Sequence, residues 1–249
     1  MRLPIVSVIV PSFNQGRFLG AALQSIFQQD LPLEVFVQDG GSTDNSMAVI
    51  QTWRPRLAGA RSHRDAGQSA AINEGVAQAT APYVCWLNSD DLLLGGSLVK
   101  LVAALERQPK APAAYGRVWN LDEATGRQRP VWVQPFARRA LALRCIVSQP
   151  GTLVRRSAWD AVGGLDETLH MAMDYDLWWK LYQSFGDFIF VDEFVAVNRN
   201  HGATKTNKFR SAHYREAMNV VRRHNGSLPL KWRMYQPYAV WWKALTNGA

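Results

Sequence analysis

Short apolar runs alternate with amphipathic segments over the first half of the chain. Four runs rich in apolar and β-branched residues predict strands, at 5–10, 33–38, 59–63 and 83–87. Four segments with apolar residues at helical spacing predict helices, at 18–28, 45–53, 69–79 and 97–107. Because strand and helix alternate in this order, the sequence predicts an α/β fold built from βαβ units, with a mostly parallel sheet flanked by helices.

Each predicted strand runs into a polar stretch: PSFNQG, DGGSTDNS, RDAGQS and NSDD in turn. Ligands of such sheets bind outside the carboxyl ends of the strands, so we expect Asp39, Asp65, Asp90 and Asp91 to share one rim. Aspartates are also frequent in ordinary turns, which is the alternative for Asp39, Asp90 and Asp91, and a helix cap is favoured for Asp44. A rim of carboxylates repels a bare diphosphate. It therefore predicts a divalent cation, Mn²⁺ or Mg²⁺, between acid and phosphate.

The length of 249 residues suits one α/β domain with an appended tail. The two cysteines, Cys85 and Cys145, match neither a disulfide framework nor a zinc site, which favours a cytoplasmic setting. The opening apolar run is too short for a signal peptide, and no later segment has the roughly 18 apolar residues of a membrane-spanning helix.

The net charge of +8 is concentrated at the end of the chain. Residues 200–249 contain nine Lys or Arg and a single acid, Glu216. Aromatic residues accompany these charges: Trp232, Tyr235, Tyr238, Trp241 and Trp242. One interpretation is contact with an anionic membrane surface, and the other is a helical pair that packs its tryptophans on the preceding domain. Nucleic acid is not expected, since no RNA- or DNA-binding motif is present.

Six motifs in order, PSFNQG, DGGSTDNS, DAGQSAAINEG, NSDD, GGLDE and MDYDLWWKL, resemble those of family 2 glycosyltransferases over roughly residues 5–205. The resemblance implies a GT-A fold (Rossmann-like), a nucleotide-diphosphate sugar donor, a divalent cation and inversion at the anomeric carbon. The chain departs from the common pattern at Asn88, where an aspartate is usual, and at Met173, where a glutamate is frequent.

The resemblance also implies roles for individual residues. The donor nucleotide would be bound by six of them, Pro11, Phe13, Asp39, Asp65, Asn73 and Asp90. The cation would be held by three, Asp91, Asp90 and His201. The acceptor would lie near the GGLDE motif, at Gly164, Asp166 and Glu167.

The catalytic base falls at Asp174 by the same resemblance. Helical geometry separates it from Asp176, which we expect on the polar face of the following helix, paired with Lys180 for a modest ~0.5 kcal/mol. Asp174 is expected just ahead of this helix, where an N-cap is the alternative role.

We therefore expect a catalytic domain over residues 1–205, with a nucleotide-sugar half to about 95 and an acceptor half to about 205. A helical extension over 206–249 follows. The expected activity is inverting sugar transfer to a glycan or lipid-linked acceptor in cell-surface polysaccharide biosynthesis, in the cytoplasm or at the cytoplasmic face of a membrane. The alternative function is a catalytically silent module of the same fold that binds a nucleotide or carbohydrate.

Overall fold

A computed structural model describes residues 3–202 and 204–236 of the chain. The strands in this part are β1 Val6–Ser12, β2 Leu33–Asp39, β3 Gly59–Ser62, β4 Tyr83–Trp86, β5 Leu92–Leu93, β6 Ala113–Asp122, β7 Gln128–Pro130, β8 Thr152–Arg155 and β9 Ile189–Asn200. The helices are α1 Gly16–Phe27, α2 Ser46–Trp53, α3 Gln68–Gln78, α4 Ser97–Arg107, α5 Arg138–Leu143, α6 Arg156–Ala161, α7 Met173–Phe185, α8 Lys205–Lys208, α9 Arg210–Asn225 and α10 Leu230–Gln236. All eight elements predicted in the first half are present, with ends shifted by two residues at most.

The strands form one sheet in the order β3-β2-β1-β4-β8-β6-β9-β5, with β7 on β6. The first four pair in parallel, as predicted. Beyond β4 the sheet is mixed, since β8 is antiparallel to both β4 and β6 while β6 and β9 are parallel. Antiparallel pairing needs no crossover helix. The regular alternation of strand and helix ends after α4, and the strands that follow form the mixed part of the sheet.

Two apolar layers cover opposite faces of the sheet. In β1, Val8 and Val10 contribute to one layer and Ile9 to the other, because successive side chains of a strand point to opposite faces. The first layer is completed by α1 and α4 and the second by α3, α7 and α9. The second layer contains Trp178 and Trp179, both fully buried. Helix α7 is therefore fixed against the sheet by large side chains.

The end of the described chain packs on this second layer. Trp232 is 9% exposed, lies against Tyr175 and Tyr214, and donates its indole N–H to the carbonyl of Ala142 at 2.9 Å. The packing interpretation is thus confirmed for Trp232. The other aromatic candidates at positions 238, 241 and 242 lie outside the described residues. None of the helices that the structure describes is long and apolar enough to cross a bilayer.

Candidate functional site

The loops after β1 and β2 are joined by side-chain hydrogen bonds. The backbone N–H of Asn14 donates to Ser42 Oγ at 2.7 Å. The Asp44 carboxylate accepts from the backbone N–H groups of Gly16 and Ser46, both at 2.9 Å. These are the first residues of α1 and α2, so the Asp44 side chain caps both helices, although Asn45 occupies the N-cap position of α2. Both motif loops are therefore held at one edge of the sheet.

Asp39 ends β2 and is completely buried. Its carboxylate accepts hydrogen bonds from the backbone N–H groups of Gly41 and Ser42, at 3.1 and 2.9 Å, and from the hydroxyls of Ser42 and Ser62. Pro11 lies one strand away, buried and next in register to Gln38. Asp39 thus joins the ends of β2 and β3 beneath the rim.

Phe13 and Asp65 meet over Gly40. A Cβ atom built on Gly40 would lie 3.3 Å from the Phe13 ring and 3.4 Å from Asp65 Oδ2, so a larger residue would crowd both. Asp65 is held by Arg61 at 3.3 Å and by the backbone N–H of Gly67 at 2.9 Å. The Phe13 ring is 62% exposed. An open aromatic face beside a fixed carboxylate is suited to stacking and hydrogen bonding of a planar base.

Asp90 and His201 meet on the same rim. His201 Nε2 lies 3.0 Å from Asp90 Oδ2, and Gln15 Nε2 approaches the same oxygen at 3.4 Å. Asp90 follows β4 and His201 follows β9, so two strand ends bring a carboxylate and an imidazole together. Both groups are common ligands of divalent metals.

Asp91 lies behind this pair and is 1% exposed. Its carboxylate accepts from the backbone N–H of Arg199 and from Asn88 Nδ2, both at 3.1 Å. Burial and the neighbouring charge of Asp90 raise the pKa of Asp91 well above its ordinary value, against those two hydrogen bonds. Asn88, the departure from the usual acid, supplies a donor that an aspartate would lack. Within residues 3–202 and 204–236, no three His, Cys, Asp or Glu side chains are arranged as a metal-binding group.

Asp174 is the second residue of α7, so the expectation that it lies just ahead of the helix is wrong; the helix already begins at Met173. Its side chain is half-buried and accepts from the backbone N–H of Tyr175 at 2.8 Å. Burial raises the pKa of Asp174, while that hydrogen bond and nearby His213 partly offset the rise. A carboxylate with a raised pKa is a better proton acceptor than an ordinary aspartate.

Two segments near Asp174 make hydrogen bonds to the donor-side loops or to α3. The first is residues 145–149, in which Gln149 Oε1 accepts from Asn88 at 3.2 Å. At its start Cys145 is half-buried, and the pKa of its thiol is raised first by burial and then by the Asp174 charge. The second is the loop at 163–172, whose Leu169 carbonyl accepts from the hydroxyl of Ser69 in α3 at 3.0 Å. This hydrogen bond links the loop before α7 to α3.

Asp176 is not on a solvent-facing surface, which corrects the sequence-based expectation. It pairs with Lys180 at 2.9 Å as predicted, but its side chain is completely buried. His224 Nε2 lies 2.7 Å from the carboxylate and Arg223 lies 3.4 Å away, both from α9. Burial alone would raise the pKa of Asp176, but the hydrogen bonds from His224 and Lys180 outweigh it and lower the pKa. Helix α9, about forty residues later in the chain, covers the face of α7 that the local sequence pattern predicts to be polar.

The GGLDE motif forms a turn that lies against α3. The Asn73 carboxamide accepts from the Leu165 N–H at 3.0 Å, donates to the Leu165 carbonyl at 2.9 Å and reaches Glu167 Oε1 at 3.0 Å. Gly164 has a left-handed φ of 66°, and Asp166 accepts from Arg223 of α9 at 3.0 Å. The structure thus brings Asn73, expected near the nucleotide, to the acceptor-side motif.

Three residues at these loops were not anticipated from the sequence: Gln15, which touches Asp90; Arg199, whose N–H binds Asp91; and Glu216 of α9. Only Glu216 carried a signal, as the single acid in the last fifty residues. One of its carboxylate oxygens accepts hydrogen bonds from three backbone N–H groups of the turn before α7.

Comparison with known proteins agrees with this arrangement. The model of the family described as Glycosyl transferase family 2 matches residues 7–161. A glycosyltransferase of PGL/p-HBAD biosynthesis from Mycobacterium bovis is 30% identical over 183 residues, which cover 71% of this chain and 69% of that protein. Chondroitin synthase of Escherichia coli is 23% identical over 95% of this chain, and the chain spans about a third of its length (35%).

Solved structures share the fold. TarS from S. aureus in complex with UDP-GlcNAc superposes with a TM-score of 0.72 at 18% identity, covering 97% of this chain and 71% of that one. Mannosyltransferase PcManGT from Pyrobaculum calidifontis in complex with GDP-Man and Mn²⁺ gives a TM-score of 0.71 at 20% identity, covering 95% and 72%. The family match spans more than half of the chain and ends beyond the NSDD rim. The chain belongs to glycosyl transferase family 2, and its fold is that of the GT-A glycosyltransferases.

Proposed function

We propose that the chain transfers a sugar from a nucleotide-diphosphate donor to an acceptor hydroxyl, with inversion at the anomeric carbon. The observation that carries the proposal is the pairing of Asp90 with His201 on the rim that also holds Phe13 and Asp65. The nucleobase would lie on Phe13, with Asp65 and the buried Asp39 end of β2 beside it. Pro11 fixes the strand end beneath the pocket, and Asn73 acts by holding the acceptor-side turn.

The rim offers carboxylate and imidazole groups of the kind that divalent cations use, although within the described residues they are not arranged as a metal-binding group. Asp90 and His201 converge within 3.0 Å, and burial together with the charge of Asp90 raises the pKa of the adjacent Asp91. A cation is the ordinary way to keep such a pair ionised, so we propose Mn²⁺ or Mg²⁺ held by Asp90, Asp91 and His201. When bound, the cation would supply positive charge that offsets the charge developing on the departing nucleotide diphosphate.

Asp174 is the proposed general base. Displacement at the anomeric carbon requires the acceptor hydroxyl to lose its proton as it attacks, and one positioned carboxylate suffices for that step. The acceptor would enter beside the turn at Gly164, Asp166 and Glu167, which lies between α3 and α9. The proton passes from the acceptor oxygen to an Asp174 carboxylate oxygen while the bond to the nucleotide diphosphate breaks.

A screen of nucleotide sugars tests the function. Each donor is added with Mn²⁺, and the melting temperature and the release of nucleotide diphosphate are measured together. The proposal expects one donor to raise the melting temperature and to be turned over, and Asp91→Ala to lose the metal-dependent part of that rise. A rise in melting temperature without turnover for any donor, with acceptors supplied, would favour the silent binding module instead.

We also propose a lipid-linked or glycan acceptor at an anionic membrane surface, in cell-surface polysaccharide synthesis. The support is α10, which exposes Leu230, Met234 and Tyr235 beside Lys231 and Arg233. Apolar and cationic side chains on one short helix suit a lipid headgroup region. Sedimentation with vesicles containing phosphatidylglycerol should retain the protein, and vesicles of phosphatidylcholine alone should not. Equal recovery with both would contradict the membrane contact.

A further inference from the structure

The single acid of the last fifty residues binds the turn that precedes the helix carrying Asp174. One carboxylate oxygen of Glu216 accepts from the backbone N–H groups of His170, Met171 and Ala172, at 3.1, 2.7 and 3.0 Å. These three residues immediately precede α7. Backbone N–H groups at a helix start lack partners within their own helix, and a carboxylate placed there is favoured by both hydrogen bonding and the helix dipole.

The residue that would ordinarily cap α7 provides no cap. Ala172 occupies the N-cap position and has no side-chain acceptor. An aspartate in the first turn of a helix often serves this purpose itself. Here Glu216 reaches across from α9 and accepts from the N–H groups of Ala172 and the two residues before it, while the Asp174 carboxylate accepts from the Tyr175 N–H.

Helix α9 contacts the whole segment around Asp174. His213 Nδ1 lies 3.3 Å from the carbonyl oxygen of Met171, Arg223 binds Asp166 at 3.0 Å, and His224 binds Asp176 at 2.7 Å. Together with Glu216, these contacts run from the GGLDE turn to the first turn of α7. A helix beyond the matched part of the family model therefore holds residues on both sides of Asp174.

We propose that Glu216 is a positioning residue for the transfer reaction: it fixes the turn that sets the direction of the Asp174 carboxylate. The proposal rests on Asp174 being the general base. Glu216 acts through the backbone of residues 170–172 and does not touch the substrates. A base must lie within hydrogen-bond reach of the proton that it removes. A shift of this turn therefore lowers the rate of the chemical step, while donor binding by the residues of the rim stays intact.

The test compares Glu216→Gln with Arg215→Gln. Both remove one charge from the same helix, and Arg215 is an exposed neighbour that makes none of these contacts. For Glu216→Gln we expect kcat to fall about ten- to hundredfold with the KM for donor unchanged. Arg215→Gln should match the wild type. Glu216→Asp, which keeps the charge, should recover part of the lost kcat.

A double-mutant cycle separates positioning from general stability. In an Asp174→Asn background, Glu216→Gln should cause no further loss of transfer, because the base that it positions is already gone. A lower melting temperature with normal kcat in Glu216→Gln, or a full additional loss in the double variant, would overturn the positioning role. Loss of transfer in Asp174→Asn alone, with normal kcat in Glu216→Gln, would leave the proposed function in place. Unchanged transfer in Asp174→Asn would overturn both.

Discussion

His201 Nε2 lies 3.0 Å from Asp90 Oδ2, although 111 residues separate the two in the chain. The contact joins the end of β9 to the end of β4, and β8 and β6 lie between these strands in the sheet. An aspartate and a histidine that are far apart in the sequence thereby become neighbours on the rim. They are two of the three ligands of the proposed cation site.

His201→Ala should weaken the dependence of transfer on Mn²⁺. Removing one of the ligands is expected to raise the Mn²⁺ concentration needed for half-maximal rate by at least about tenfold. This is the smaller loss of metal affinity that is typical when residues supporting a metal site are mutated. His63→Ala is the matched control, because His63 is an exposed histidine on the same side of the sheet whose ring lies near Glu74. An unchanged Mn²⁺ titration in His201→Ala would remove His201 from the site.

Asp176→Asn should destabilise the protein more than the sequence suggests. The carboxylate is buried with two cationic partners and a histidine, and breaking such a pair typically costs about 3 kcal/mol. Denaturant unfolding measures the difference. Asp160→Asn is the control, since Asp160 forms an exposed i,i+4 pair with Arg156 at 3.6 Å. Loss of this pair should change the free energy of unfolding by no more than about 0.5 kcal/mol. Equal decreases in the free energy of unfolding in both variants would contradict a buried network around Asp176.

The same network has a pH dependence with a definite sign. Because hydrogen bonds lower the pKa of Asp176 in the folded protein, its contribution is present at neutral pH and is lost as the pH falls through that lowered value. The stability difference between wild type and Asp176→Asn should therefore shrink toward acidic pH. A difference that grows on acidification would contradict this assignment of charge.

The order of the elements and the rim could be predicted from the sequence because both follow from local pattern and strand direction. Asp39, Asp65 and Asp90 lie at strand ends, and the sheet brings them together. Asp176 and Glu216 could not be placed in this way, since the partner of each lies on another helix, tens of residues away. A charge that looks solvated within its own helix becomes buried once α9 covers it.

The rate of transfer should rise with pH over a range above that of an ordinary aspartate. Burial raises the pKa of Asp174, and the base works only as the carboxylate, so kcat should increase as the pH passes through the raised value. Within the described residues, Cys145, Tyr175 and His213 are titratable groups that interact with Asp174, and Glu216 binds the turn before it. His213 lowers the pKa of Asp174, so His213→Gln should move the acidic limb of the profile to higher pH. A shift to lower pH would contradict this arrangement.

The most direct test of the account is Asp174→Asn, measured in parallel for donor binding and for transfer. The substitution keeps the size of the side chain and removes its ability to accept a proton. We expect Mn²⁺-dependent donor binding at the wild-type affinity and a kcat lower by about 10²- to 10⁴-fold, the usual contribution of a general base. Transfer at the wild-type rate with normal donor binding would show that another group removes the proton. It would contradict the proposed role of Asp174 as the general base.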